Sequence, residues 1–366
     1  MQGVEPIQDT PTAVSVQVGR RPSPPTRRYD LTADDVASHL CGEPSYRVKQ
    51  VWQGLIEQGL EVGELSTLPK SLRERITAVP EFGPSLVQMA ESVSVDDMTI
   101  KWLWKLHDGM QIETVLMHYA DRSTVCISSQ AGCAMACGFC ATGQGGFQRH
   151  LTSGEIVEQV ARARRRSAAD GRRLSNVVYM GMGEPMANYG PVWSSVERMH
   201  GDFGLSARHL TISTVGIVPG IRRLAAEALP VNLAVSLHAA NDEKRNEMVP
   251  INRTYPLDVL AAACEDYLAA KNRRLSFEWA MIDATNDTRT DAHELAAYAR
   301  PLGAHINLIP LNSTPGYPTT GTSPAGVRRF QQELESLGVN ATIRRNRGTS
   351  IDAACGQLAA RHRSPD

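Results

Sequence analysis

Three cysteines constrain this chain more than any other feature. They are Cys133, Cys137 and Cys140, in the stretch Gly132-Cys133-Ala134-Met135-Ala136-Cys137-Gly138-Phe139-Cys140. Three residues separate the first pair and two the second, so three thiolates can converge on one metal centre. The chain has Cys 7 in all, and three of these falling so close together argues against unrelated thiols sharing a loop. Zinc would want a fourth ligand. A [4Fe–4S] cluster held by only three cysteines keeps one iron open for another ligand.

The totals narrow the field. At 366 residues the chain can bury a sizeable core, with one large domain and a smaller one. Its 42% hydrophobic and 21% charged residues are ordinary for a globular protein. No apolar run approaches a membrane span, and the N-terminus lacks the apolar core of a secretory signal. An odd number of cysteines without that signal points to reduced thiols and a cytoplasmic location. With a net charge of -1, any nucleic-acid surface must be a local patch.

Residues 1–28, rich in proline and carrying Arg20, Arg21, Arg27 and Arg28, read as a disordered tail. Residues 29–95 read as a small helical domain: Thr32 is positioned as a cap, and Val48, Val51, Trp52 and Leu55 share one helical face. Arg47, Lys49, Lys70, Arg73 and Arg75 give that module a possible grip on phosphates, against ordinary surface charge. Residues 96–123 read as a β-hairpin extension, with Trp102 and Trp104 on one face and His107-Asp108-Gly109-Met110 as the turn. Glu113 lies in its second strand, a position that is usually solvent-facing.

From residue 124 to 346 strand and helix alternate. Strands are expected near Thr124–Ser129, Asn176–Met180, Arg208–Ser213, Val231–Ser236, Leu275–Ile282 and His305–Ile309, with helices between them. Six such units imply a parallel sheet with crossover helices, as a partial (β/α)6 barrel; a doubly wound open sheet is the alternative. Ligands in such folds bind at the carboxyl ends of the strands. The unusual residues collect there: the cysteine triplet, Gly181-Met182-Gly183-Glu184-Pro185, Ser213-Thr214, Ser236-Leu237-His238 and Pro310-Leu311-Asn312. Each alone is ordinary, but their convergence on one rim is not. Residues 347–366 form a C-terminal segment containing Cys355 in Ala353-Ala354-Cys355-Gly356-Gln357.

Cys-x3-Cys-x2-Cys with an aromatic before its last cysteine resembles the radical S-adenosylmethionine (SAM) enzymes. From Tyr29 to Leu358 the chain resembles their adenine-methylating RNA methyltransferases, including the Arg344-Arg345-Asn346-Arg347-Gly348 signature ahead of Cys355. The resemblance implies a radical SAM barrel holding one [4Fe–4S] cluster on Cys133, Cys137 and Cys140, with two SAM molecules used per turnover. It implies SAM contacts from Gly183, Glu184, Ser213, Ser236, Leu237, His238 and Asn312, with Glu184 on the methionine amine and the 181–184 glycines letting backbone approach it.

Adenine C2 is electron-poor and cannot attack the methyl of SAM directly. The resemblance implies that Cys355 first takes a methyl group by displacement. A radical from a second SAM removes a hydrogen from that group, and the carbon adds to C2. Glu113 then removes the C2 proton, and Cys126 attacks Cys355, leaving a disulfide that must be reduced. Implied substrates are 23S rRNA in the peptidyl-transferase region and the adenine beside the anticodon of some tRNAs. A flipped base reaches a barrel most easily from a loop or bulge. Flavodoxin or ferredoxin would donate the electron, to a protein that is a monomer with no membrane contact.

The arginine runs, Arg164-Arg165-Arg166 among them, suggest a basic rim for RNA. Cys41 and Cys264 match nothing and read as structural. His150 stands where the family has asparagine, and Ser313 where it has proline. Three rivals remain at this stage: the C8-methylating branch of the family, a non-catalytic iron–sulfur RNA-binding protein, and a structural zinc site.

Overall fold

The computed structural model describes residues 23–312, 319–344, 351, 353, 357 and 358. The chain begins with α1 (Ala33–His39), α2 (Ser45–Val51) and α3 (Lys70–Thr77). Strands β1 (Val87–Val93), β2 (Thr99–Lys105), β3 (Gln111–His118) and β4 (Ser123–Cys126) follow. The cysteine loop holds β5 (Gln130–Gly132), α4 (Ala141–Gln144) and β6 (Phe147–His150). The rest alternates: α5 (Ser153–Ala169), β7 (Leu174–Tyr179), α6 (Tyr189–Gly201), β8 (Leu210–Thr214), α7 (Val218–Ala226), β9 (Asn232–Ser236), α8 (Asp242–Met248), α9 (Leu257–Lys271), β10 (Leu275–Met281), α10 (Arg289–Ala299), β11 (His305–Pro310), α11 (Pro324–Ser336) and β12 (Ala341–Ile343).

Ten strands make one mixed sheet in the order β1-β2-β3-β4-β7-β8-β9-β10-β11-β12. The first four pair antiparallel, and from β4 onward every pairing is parallel. All six expected barrel strands are present. Two elements add to the expectation. Ala341–Ile343 pairs parallel with β11 as a short further strand, too brief to show a period. Val87–Val93 is a strand at the sheet edge, although it falls inside the stretch read as helical. Its alternation of Val, Met and Val is masked because those side chains face out: Val87 and Met89 are half exposed.

The helices start where short polar side chains can cap them. Thr152 accepts from the backbone of Glu155 and Thr288 from that of Asp291, each with the reciprocal carboxylate. Helix α5 also receives the N-terminal module. Asp30 accepts from the Gly154 amide at 2.8 Å, and a Cβ on Gly154 would lie 2.5 Å from that carboxylate. Here glycine is required so that an anion can sit on a helix N-terminus.

Two expectations about arginines are corrected. Arg28 is not part of a solvated tail. It is 3% exposed, pairs with Glu61 at 2.7 Å and donates to the Phe82 carbonyl at 3.0 Å. Nor is the run at 164–166 a free basic rim. Arg165 pairs with Glu64, Arg166 with Glu91, and Arg164 donates to the Glu57 carbonyl. These side chains fasten the N-terminal module and the edge strand to α5, a role that charge counting alone does not distinguish from phosphate binding.

Gln159 on α5 connects this scaffold to the cysteine loop. It is fully buried, accepts from the Ser128 amide at 2.8 Å, donates to the Ser128 carbonyl at 3.0 Å and accepts from the Thr114 hydroxyl at 2.8 Å. Gln159→Leu leaves both backbone groups of Ser128 without these partners. It is expected to lower stability by about 3 kcal/mol in chemical denaturation of the metal-free protein. A loss within error of zero would show that Gln159 does not hold this junction.

Candidate active site

The carboxyl ends of the parallel strands open onto a cavity of about 160 Å³. On one wall are Cys133, Cys137 and Cys140. The same cavity is lined by Gly183, Glu184, Ser213, Ser236, His238 and Asn312. Of the residues singled out for this rim, all line the cavity except Met182, Pro310 and Leu237, whose side chain is fully buried in the core.

The cysteine loop is held at its neck. Strands β5 and β6 pair antiparallel, and the Cys133 amide donates to the Gly146 carbonyl at 3.0 Å. Gly132 has φ +73, and a Cβ there would lie 1.9 Å from the Gly146 carbonyl oxygen. Arg149 closes the loop by pairing with Asp108 of the hairpin turn at 2.6 Å and with Glu155 at 2.7 Å. His150 fits this neck: its Nδ1 lies 3.1 Å from the Gln130 amide nitrogen. Ser313 lies outside the described residues.

The glycines of the 181–184 turn, expected to let backbone approach a ligand, also permit a close approach within the protein. A Cβ on Gly181 would lie 2.6 Å from the Ile127 carbonyl oxygen, and one on Gly183 2.7 Å from the Gln130 amide nitrogen. The close approach is backbone on backbone, locking the turn to the root of the cysteine loop. Glu184 emerges from it fully buried. Its carboxylate accepts from the amides of Met186 and Val215, both at 2.9 Å. Burial pushes this carboxyl up to about 7 despite those bonds and one from Thr214. A cationic amine placed beside it would favour the ionised form.

His238 has φ 59, a left-handed conformation that aims its ring across the strand ends. Its Nδ1 accepts from the Ala280 amide at 3.0 Å, which leaves Nε2 as the N–H donor. Burial, then the charge of Arg245, push it down to about 3, so it is neutral. Phe139, the aromatic before Cys140, meets the His238 ring edge-on with centroids 4.7 Å apart.

Cys126 and Glu113 are not part of the cavity wall. Val115 lies opposite Cys126, so Glu113, two residues along, shares the same sheet face. Cys126 pairs with Val178, whose neighbour two residues on, Met180, lines the cavity. Glu113 is 1% exposed, not solvent-facing, and pairs with Lys101 at 3.4 Å. Cys355 lies outside the described residues, and so does any account of its bond to Cys126. The chain on either side of it is placed: Ala353 and Leu358 are buried in the core, and the Leu358 carbonyl accepts from the Thr142 hydroxyl at 3.4 Å. Thr142 lines the cavity beside the cysteine triplet.

Three further residues belong to the site. Glu278 lines the cavity, accepts from Asn307 at 2.7 Å and lies 3.8 Å from Arg344, which also lines it. The charge of Glu278 amid the apolar run Leu275–Ile282 was the available signal. Arg245 is buried behind the rim, and nothing in Asn241-Asp242-Glu243-Lys244-Arg245 distinguishes it from a solvated helical turn.

A probable dual-specificity RNA methyltransferase RlmN from Chloroflexus aurantiacus is 47% identical over 355 residues, covering 92% of this chain and 93% of that one. The chain belongs to the RlmN family. The Radical SAM superfamily pattern matches residues 127–297, beginning directly after Cys126. Dual-specificity RNA methyltransferase RlmN 1 of Myxococcus xanthus is 47% identical over 337 residues, covering 91% of this chain and 94% of that one. A crystal structure of a radical SAM methyltransferase from Sphaerobacter thermophilus matches with a TM-score of 0.87 at 46% identity, covering 92% of this chain and 100% of that one.

Radical SAM membership implies a [4Fe–4S] cluster and SAM, and the residues of this RlmN-family cavity fit them. Three thiols face one space. Burial pushes the Cys133 thiol up to about 12 and raises Cys137 further, so both thiolates call for a cation.

Glu184 gives the metal-free protein a pH signature. The carboxyl titrates near 4.5 when unfolded and about 7 when folded. Below 4.5 both states are protonated and no penalty exists. Between these values the folded state holds its proton more tightly, so stability falls as pH rises, by roughly 3 kcal/mol in all. Glu184→Gln is expected to remove this decline in denaturation series from pH 4.5 to 8. An unchanged decline would show that Glu184 is not its source.

Proposed function

We propose that this enzyme methylates C2 of adenine in RNA through an S-methyl group carried on Cys355. Its substrates are an adenine in the peptidyl-transferase region of 23S rRNA and the adenine beside the anticodon of some tRNAs. Family membership supports the reaction class: the relatives named above are dual-specificity RNA methyltransferases. The observation that carries the covalent route is the Thr142–Leu358 hydrogen bond, which ties the tail around Cys355 to the wall that holds the three cysteines.

Cys133, Cys137 and Cys140 would hold one cluster, and Glu184, Ser213, Ser236, His238 and Asn312 would hold SAM, with two SAM molecules consumed per turnover. When bound, the cluster and SAM supply a carbon radical able to take a hydrogen atom. Glu184 receives the methionine amine as a carboxylate. Neutral His238 donates from Nε2 without repelling that cation. The Cys355 thiolate takes the first methyl by displacement and becomes a thioether. Once that methyl has lost a hydrogen atom and bonded to C2, the adduct holds one unpaired electron, which returns to the cluster; Glu113, 3.4 Å from Lys101, accepts the C2 proton. The Cys126 thiolate then attacks the Cys355 sulfur, the Cys355 S–C bond breaks with its electron pair going to carbon, and that carbon takes up a proton to give the methyl product. The resulting disulfide takes two electrons and two protons to return both thiols, which suits a reducing cytoplasm.

Residues 29–95 would serve as the RNA-binding module. Tyr46 is 54% exposed with the Arg47 guanidinium 5.0 Å from its ring centre, a surface suited to a base and a phosphate. The barrel core of 124–346 and the segment 347–366 complete a monomer served by flavodoxin or ferredoxin. Among the described residues no helix is long and apolar enough to cross a membrane.

Anaerobic enzyme reconstituted with iron and sulfide should place a methyl group on adenine C2 in 23S rRNA and tRNA fragments, read by mass spectrometry. A methyl at C8 would overturn the assignment. Cys355→Ala should abolish transfer, by at least about a thousandfold, while cluster content stays intact; retained transfer removes the covalent route. Cys126→Ala should leave RNA attached to the protein through Cys355, visible as an adduct in denaturing gels.

A further inference from the structure

Arg245 is fully buried, forms no salt bridge with a carboxylate among the described residues, and bonds to Val215 and Ser236, which line the same cavity as the cysteines. It stands on α8, and its guanidinium is spent on neutral oxygens. It donates to the carbonyls of Leu237 at 3.0 Å, Val215 at 2.6 Å and Ser236 at 3.3 Å, and to the Asn252 side chain at 2.7 Å. Asp242, which faces solvent, acts on it at a distance by its charge and also accepts from the Asn252 amide at 2.8 Å. The positive charge is therefore left largely uncompensated in a place where burying charge is expensive.

The same charge is felt at the metal-binding wall. It favours the thiolate of Cys137 and disfavours the protonated form of His238. Met248, one turn along α8, and Val249 pack in one cluster with Cys137. Burial draws Arg245 itself down to about 10, which still leaves it charged at neutral pH. Its bonds to Val215, Ser236 and Leu237 also fix the ends of β8 and β9, from which Ser213 and Ser236 project.

We propose that Arg245 is a positioning residue whose buried charge tunes the cluster on Cys133, Cys137 and Cys140, raising its reduction potential. This rests on the cofactor reading above. Reduction takes one electron from the external donor into the cluster, and the negative charge at the three cysteines grows by one. A fixed cation behind Cys137, shielded from solvent, stabilises the reduced form more than the oxidised one. A purely structural arginine would hold the strand ends without moving the potential.

Four proteins separate these roles. Arg245→Gln removes the charge, and Arg245→Lys keeps it while losing several hydrogen bonds. The double variant Asn252→Asp with Asp242→Asn keeps the arginine and moves a carboxylate from the surface to its side. In that variant the side chain at 242 still accepts from the Leu257 amide, which lies 3.0 Å from Asp242 in the parent chain. Each is reconstituted anaerobically, assayed for iron and sulfide, and reduced in a potentiometric titration followed by EPR, without SAM or RNA. The expected result is a lower midpoint potential in Arg245→Gln and in the double variant, and a value near the parent's in Arg245→Lys. A fully loaded double variant titrating with the parent overturns the proposal. So does failure of both neutralised variants to load while Arg245→Lys loads, since that assigns Arg245 to holding the rim alone. A parent enzyme that binds no cluster fails the cofactor reading itself, a distinct outcome.

Discussion

The site depends on one junction, where residues 127–130 lie against the turn at 181–184. Five hydrogen bonds cross it: Gly181 amide to Ile127 carbonyl, Ser129 and Gln130 amides to Met182 carbonyl, Met182 amide to Ser128 hydroxyl, and Glu184 amide to the Gln130 side chain. Asn188 adds a donor to the Ser129 carbonyl at 2.9 Å. Side chains at 181 and 183 would force the segments apart. Because the first segment leads into the cysteines and the second ends in Glu184, this contact fixes the separation between the metal-binding wall and a buried carboxylate that can receive an amine. The parallel sheet supplies the direction, and the junction supplies the spacing.

The electrostatics of the cavity follow from burial on that frame. His238 is stripped of its charge, Glu184 sits close to half-ionised at neutral pH, and two thiols resist ionisation. In water the Glu184 carboxyl would be fully ionised at that pH. The apo cavity is thus a set of unmet charge demands, which a cationic amine and a metal cluster satisfy together. Arg245 is the opposite case, a charge retained in the interior at a cost, and its bonds to strand-end carbonyls make it part of the same rim.

Much of this was legible from sequence because the signals were local. The β/α alternation gave the parallel strands within a few residues, since buried strands are apolar runs and helices carry their own caps at Thr152 and Thr288. The rim residues were found because strand ends mark ligand positions in such sheets. What could not be read was long-range. Arg28 and Arg164–Arg166 look like solvated charge until their carboxylate and carbonyl partners, remote in sequence, are known. Glu113 looked exposed because a hairpin strand normally has a wet face, and the sheet buries both of its faces here. Nor could sequence show that the missing side chain of Gly183 also makes room for Gln130.

The tail joins this chemistry at one described point, the Leu358 carbonyl on Thr142. The account stands or falls on whether a methyl carbon passes through the sulfur at 355. Enzyme carrying a 13C-methyl group on Cys355, mixed with unlabelled SAM and RNA for a single turnover, gives the direct answer. The account predicts that the first methylated adenine contains 13C. An unlabelled methyl on that adenine, with the label still on the protein, would contradict it.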